Sequence, residues 1–241
     1  MNTRTITILK DLGYTTETNQ GLTVVYKSSM PRLRDAILTK DVLGDASGLK
    51  GRFPLRVIEP DLVVRSLIHG GFFRHITQDR FISTSRSLRE LIISAHLLSR
   101  KIATPEIMGL RFIRSALSYR INVITRLVPG STDLLDYMET PHNDSLSIFK
   151  QSGVIIRKMH DAGVYHADLH IKNILTDKQG CLWILDLDKA RKFSVIPSFV
   201  RINNLRRFVR SCRKWQASGR IILPDEWKNH LFEGYYNANR P

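Results

Sequence analysis

Two cysteines, Cys181 and Cys212, are all that the 241 residues contain. They are too few and too unpatterned for a disulfide framework or a thiolate metal cluster, which points to a reducing compartment. No apolar run approaches the roughly 20 residues needed to span a bilayer. The opening Met1-Asn2-Thr3-Arg4-Thr5-Ile6 lacks the long apolar core of a signal peptide. Repeats and low-complexity segments are also missing. The scarcest property is negative charge: 22 Asp and Glu stand against 37 Lys and Arg, for a formal net charge of +15. Residues 189–220 contain no acidic residue at all. Such an excess calls for an anionic partner, whether nucleic acid, a membrane surface or a polyanionic substrate, and composition does not choose among them.

What is present centres on His166-Ala167-Asp168-Leu169-His170-Ile171-Lys172-Asn173, followed by Leu182-Trp183-Ile184-Leu185-Asp186-Leu187-Asp188. A carboxylate and a carboxamide lie five positions apart. A β-prone pair, residues 173–175 and 182–185, then carries the chain through a tight hairpin to a second carboxylate at Asp186. Phosphoryl transfer on the kinase plan uses these groups: an Asp beside the attacking hydroxyl, and an Asn and an Asp on Mg²⁺. The catalytic loop of protein kinases, H-R-D-x-x-x-x-N, has the same Asp-to-Asn offset. A polar turn capped by Asp168 would explain the His-x-Asp alone but not the matched Asn173 and Asp186.

Upstream, residues 1 to about 47 alternate short apolar runs (6–9 and 22–26) with turn residues, and residues 34–43 suggest a short helix. Gly48-Leu49-Lys50-Gly51-Arg52 then forms a glycine turn between β-prone stretches at 53–58 and 62–67. Backbone N–H groups in such a turn can approach phosphates, making Lys50 and Gly51 nucleotide-site candidates, although an ordinary hairpin reads the same way. Arg65 occupies the strand position at which a kinase carries its phosphate-binding Lys. Residues 85–98 have helical apolar spacing, with Glu90 close to the apolar face, where a carboxylate needs a partner; Arg65 is the expected one. His69-Gly70-Gly71-Phe72-Phe73 suggests either a mobile segment or a plain turn with buried rings.

Residues 121–130 read as a strand ending in a turn, the place for an interlobe hinge with Thr125 to Leu127 facing adenine. Residues 146–162 form a helix by periodicity, with His160 expected to be packed rather than catalytic. Residues 201–214 crowd Arg201, Arg206, Arg207, Arg210, Arg213 and Lys214 onto a helix with an apolar stripe at Ile202, Leu205, Val209 and Cys212. Such a basic amphipathic helix suits a membrane surface, and a core-packed helix with a solvated basic face is the alternative. The expected architecture is α+β and bilobal, like a protein kinase. A β-rich N-terminal lobe would span residues 1–124 and a reduced helical lobe residues 125–241.

Together these stretches resemble the lipopolysaccharide kinase family, in particular its short branch of 3-deoxy-D-manno-octulosonic acid (Kdo) kinases. Lys50-Gly51-Arg52, Val64-Arg65, Gly70-Gly71, Asp79-Arg80-Phe81 and Arg86-Ser87-Leu88-Arg89-Glu90 carry the resemblance. It continues in Val128-Pro129-Gly130, His166-Ala167-Asp168, Ile184-Leu185-Asp186-Leu187-Asp188-Lys189 and Asn203-Asn204-Leu205-Arg206-Arg207, so that it covers roughly residues 48–215. The resemblance implies transfer of the ATP γ-phosphate to the 4-hydroxyl of a Kdo residue on a lipid A precursor, at the cytoplasmic face of the bacterial inner membrane. In that scheme Asp168 orients or deprotonates the hydroxyl, Asn173 and Asp186 hold Mg²⁺, and Arg65, steadied by Glu90, binds ATP phosphates. Either His170 or Lys172 neutralises the transition state. The anionic glycolipid and membrane surface account for the positive charge, and no nucleic-acid partner is expected. A heptose kinase of the same family, a small atypical protein kinase of the RIO type, and a non-catalytic nucleic-acid binder on a kinase scaffold are the competing readings.

Overall fold

The computed structural model describes residues 1–38, 55–59, 61–67 and 80–238. Lys50, Gly51 and the Gly70-Gly71 segment lie outside the described residues. The chain divides into two compact units, Met1–Ala95 with Glu106–Leu127, and His96–Pro105 with Val128–Pro241.

The first unit is built on a sheet. Helix α1 (Thr3–Asp11) starts at Asn2, whose side chain accepts the Thr5 N–H at 2.9 Å, satisfying one of the orphan donors of a helix start. The apolar run 6–9 therefore lies in a helix, with Leu9 buried. β1 (Tyr14–Asn19) and β2 (Leu22–Lys27) form a hairpin whose two turn residues, Gln20 and Gly21, both have positive φ, the geometry that matches strand twist. α2 (Pro31–Leu38) begins three residues before the expected helix, at a proline whose fixed φ suits a first helical turn. β3 (Leu55–Glu59), β4 (Leu62–Ser66), α3 (Ser85–Ser99), β5 (Ile107–Ser115) and β6 (Ser118–Arg126) follow. The six strands pair antiparallel in the order β1-β2-β5-β6-β4-β3.

Alternation along the strands divides their side chains between two cores. Val25, Leu110, Phe112, Ile121 and Val123 pack with Leu9 of α1 and Leu88 and Leu91 of α3. Val24, Tyr26, Leu62, Val64 and Ile124 pack with Leu33 and Ile37 of α2. Each fully buried aliphatic side chain contributes roughly 1.5–3 kcal/mol.

The second unit is mainly helical. It contains β7 (Thr132–Asp133), α4 (Leu134–Tyr137), α5 (Ser145–Asp161), β8 (Val164–Tyr165), β9 (Ile174–Thr176), β10 (Leu182–Ile184) and β11 (Arg191–Lys192), then α6 (Ser198–Ala217) and α7 (Trp227–Asn237). Two 3₁₀ turns follow the motif carboxylates: Ile171–Asn173, which contains Asn173, and Leu187–Lys189, which Asp186 caps. The strands form the ribbons β10-β9-β7 and β11-β8. Gly153 of α5 and Gly234 of α7 let two helix backbones touch. A Cβ on Gly153 would collide with the Leu231 carbonyl, and one on Gly234 with that of Lys150, so both positions require the missing side chain.

Helix α6 corrects one expectation. Its stripe at Leu205, Val209 and Cys212 is buried, together with Asn204 and Phe208. These side chains supply core, so this face is not available to a membrane. The arginines at 206, 207, 210 and 213 occupy the exposed side.

Candidate active site

In the first unit, register brings Arg65 of β4 opposite Leu55 and Val123, on the side of the sheet that faces α3. Its Nη2 donates to Glu90 Oε1 at 2.6 Å, and Glu90 is almost fully buried. A buried carboxylate of this kind is tolerable only when paired, so the contact fixes the Arg65 guanidinium. The strand position and the helix position expected to meet do meet. At the end of β6, Thr125 pairs with Val63 and Ile107, and the Leu127 N–H donates to the Asp61 carbonyl at 2.7 Å.

In the second unit, the loop after β8 is held by its own side chains. Asn173 donates from Nδ2 to the Asp168 carbonyl at 2.9 Å, which leaves its Oδ1 as the oxygen for a cation. The Leu185 N–H donates to the Asn173 carbonyl at 2.9 Å, so Asp186 follows directly on a bond that ties the two stretches together. Asp186 has left-handed backbone geometry, φ 55° and ψ 57°, a strained choice for a residue with a Cβ and one often met at functional sites. The donor set, carboxylate and carboxamide oxygens, fits Mg²⁺, which prefers hard oxygen ligands.

Asp168 itself is partly exposed, and its Oδ2 accepts from Lys189 Nζ at 2.8 Å. Burial alone would raise its pKa. The hydrogen bond and charge of Lys189, with smaller help from His170 and His166, outweigh that and hold it below the usual carboxylate range. Lys172 is turned elsewhere, its Nζ standing 5.8 Å from the Trp215 ring centroid. Lys189 had no role assigned from sequence. The available signal was a cation three residues after Asp186, the first of a basic group with Arg191 and Lys192.

A buried polar chain supports this loop. The Asp168 N–H donates to His166 Nδ1 at 3.2 Å, so His166 Nε2 carries the proton it gives to the Leu185 carbonyl at 2.8 Å. Asn204 of α6 donates to the His166 carbonyl at 2.8 Å. Its Oδ1 accepts from His160 Nε2 at 3.0 Å, and His160 Nδ1 then accepts from the Tyr235 hydroxyl at 2.7 Å. Burial depresses the pKa of both histidines, that of His160 to about 4, so each is neutral with one forced tautomer. His160 is thus a packed residue, as expected. That it is one link between α7 and the Asp168 loop was not visible in the helical spacing.

A β-rich unit carrying a strand-to-helix cation–carboxylate pair, joined to a helical unit carrying the Asp168–Asn173–Asp186 arrangement, defines the protein-kinase-like class. Comparison with known proteins narrows the class. The sequence model of the lipopolysaccharide kinase (Kdo/WaaP) family matches residues 39–235, and the chain belongs to that family. Among curated proteins it is similar to the 3-deoxy-D-manno-octulosonic acid kinase of Vibrio cholerae. The two are 33% identical over 178 residues, covering 72% of this chain and 74% of that protein. The like-named kinase of Actinobacillus succinogenes is 32% identical over 183 residues, covering 72% and 75%. Among solved structures, WaaP in complex with acyl carrier protein matches with a TM-score of 0.61 at 16% identity, covering 90% of this chain and 89% of that one. That likeness supports the α+β kinase-like fold.

Proposed function

We propose that this protein is an ATP-dependent kinase that phosphorylates the 4-hydroxyl of a Kdo residue on a lipid A precursor, at the cytoplasmic face of the inner membrane. Family membership and relatives named as Kdo kinases support the acceptor. The observation that carries the chemistry is the Asp168 loop. Its carboxylate is ionised beside a cation, and its backbone is tied to the residue that precedes Asp186.

In the proposed reaction the acceptor oxygen forms a bond to the γ-phosphorus, the bond to the β-phosphate oxygen breaks, and ADP leaves. Asp168 orients the hydroxyl and takes its proton, a contribution typically worth 10²- to 10⁴-fold. Asn173 Oδ1 and the Asp186 carboxylate are the proposed ligands of Mg²⁺, which when bound supplies charge neutralisation on the phosphates. Arg65 binds ATP phosphates, and the Glu90 carboxylate keeps its guanidinium oriented. Lys50 and Gly51 remain the sequence-based candidates for phosphate contact, and adenine would lie near the end of β6 at residues 125–127, where the Thr125 backbone is already paired in the sheet and the Leu127 N–H is held by Asp61. Lys189, already at hydrogen-bond distance from Asp168, can move its ammonium to the γ-phosphate as the hydroxyl replaces it, and Lys172 adds positive charge to the same loop.

The test is incubation with labelled ATP and Mg²⁺ in four separate reactions. These contain a Kdo-bearing lipid A precursor, a heptose-bearing core lipid, a protein mixture and RNA. Label in the first acceptor alone is the expected result. Label in protein, or in heptose only, would replace this reading with one of its rivals.

A further inference from the structure

Ten large apolar side chains are exposed among the described residues, and four of them, Phe193, Val195, Phe199 and Ile202, fall within ten positions. Val195 and Phe199 are the most exposed of the four, at 73% and 67%. Isolated exposed apolar residues are ordinary, but a local cluster of this kind marks a contact surface. The segment is also held in shape. The Phe193 N–H donates to the Gly163 carbonyl at 2.8 Å, and Ile196 is buried. Arg201 donates from Nε to the Ile196 carbonyl at 3.0 Å and pairs with Asp161 at 2.5 Å. Val195 and Phe199 are therefore presented by a braced turn.

Its surroundings are cationic. Arg191 and Lys192 precede it and are exposed. Along the outer side of α6, Phe199 and Ile202 are followed at helical spacing by Arg206, Arg210 and Arg213, all exposed. One stripe thus changes from apolar to basic over about 20 Å of helix. Strand pairing ties it to the start of the catalytic loop: β11 pairs with β8, and the Phe193 ring stands edge-on to Tyr165, the residue before His166, with centroids 6.4 Å apart.

We propose that residues 193–202 form a bilayer-insertion element. Val195 and Phe199 enter the acyl boundary of an anionic membrane, with Phe193 and Ile202 beside them. Arg191, Lys192 and the arginines of α6 lie among the headgroups. An apolar tip rimmed by cations is the composition that interfacial elements use, burying their apolar side roughly 5–10 Å into the boundary. An acidic protein with an apolar patch is the rival occupant; cations on both sides of the apolar tip, Arg191 and Lys192 before it and the α6 arginines after it, favour a layer of anionic headgroups. The inference rests on the proposed membrane-borne acceptor, and it identifies the side of the Asp168 loop that meets the membrane.

The test uses the full chain and vesicles of phosphatidylglycerol and phosphatidylethanolamine, without acceptor. Vesicle binding of the Val195→Ser/Phe199→Ser double variant should fall at least about tenfold, with turnover on a water-soluble Kdo analogue unchanged. Fluorescence of Phe199→Trp should be quenched by brominated acyl chains. Undiminished vesicle binding by the double variant would overturn the proposal. So would an unquenched Phe199→Trp, or a surface that engages a soluble acidic protein and no vesicle. Loss of transfer to every Kdo acceptor with vesicle binding intact would instead overturn the catalytic reading and leave the insertion element standing.

Discussion

Lys189 Nζ lies 2.8 Å from Asp168 Oδ2, so the carboxylate proposed as the base is held ionised by a cation from the turn that follows Asp186. Removing the ammonium removes the largest influence opposing burial, and the Asp168 pKa must rise. Lys189→Met should therefore move the acidic limb of the kcat/KM–pH profile to higher pH, with partial recovery of rate at alkaline pH. The depressed pKa also stabilises the fold at pH values above the unfolded carboxylate range, and that stabilisation is lost as pH falls through the folded value. An unshifted acidic limb would mean that Lys189 does not govern Asp168.

Arg65 and Glu90 should behave as one unit. Their contact is short and the Glu90 side chain is buried, so removing either partner leaves the other misplaced. A double-mutant cycle with Arg65→Ala and Glu90→Ala should give an interaction energy of about 0.5–3 kcal/mol in kcat/KM. Strict additivity would show that the pair has no joint role in turnover.

The sequence made these two pairs visible to different degrees. Arg65 and Glu90 were legible because each sits on a periodic element, and a carboxylate on an apolar helix face demands a partner. Asp168, Asn173 and Asp186 were legible because their spacing is set by one loop and one hairpin. Lys189 was not, since a flexible side chain reaching back 21 positions leaves no period. Helix α6 was located by its periodicity, but the spacing leaves open whether its apolar face meets lipid or core, and burial of Leu205, Val209 and Cys212 decides for core. A stripe at helical spacing looks the same whether it meets lipid or protein, and only the surrounding helices decide. Helix α7 went unread altogether. It owes its place to Gly153 and Gly234, and glycine within a helix reads from sequence as a weakness rather than a contact.

His160 should make the fold acid-sensitive. Its pKa is about 4 in the folded state and near 6.5 when free, so between those values the unfolded chain binds the extra proton. Stability should decline as pH falls from about 6.5 towards 4, by roughly 2–4 kcal/mol in all from this group. Chemical denaturation of His160→Gln across that range should show a flatter dependence, from a lower starting stability because Tyr235 and Asn204 lose geometry. Equal slopes in the two proteins would remove His160 as the source.

Charge on α6 should contribute to membrane attraction separately from the apolar tip. Replacing Arg206, Arg207, Arg210 and Arg213 by Gln should remove a few kcal/mol of attraction, at about 1 kcal/mol per cation near an anionic surface. Binding to phosphatidylglycerol vesicles should then fall by orders of magnitude, and what remains should depend less on salt. Turnover on a detergent-dispersed acceptor should change far less. Equal collapse of soluble-acceptor turnover with the fold intact would locate these arginines in the acceptor or phosphate site.

The proposed function turns on which oxygen receives the phosphate and which residue prepares it. The direct measurement is phosphorus–proton correlation NMR on the product made from ATP, Mg²⁺ and a Kdo-bearing lipid A precursor, with Asp168→Ala run in parallel. With the native enzyme the phosphate should sit on the 4-oxygen of Kdo. With Asp168→Ala the rate should fall by about 10²- to 10⁴-fold while ATP binding stays nearly intact. A phosphate on another oxygen or another sugar, or an Asp168→Ala enzyme retaining more than about a tenth of the native kcat, would contradict it.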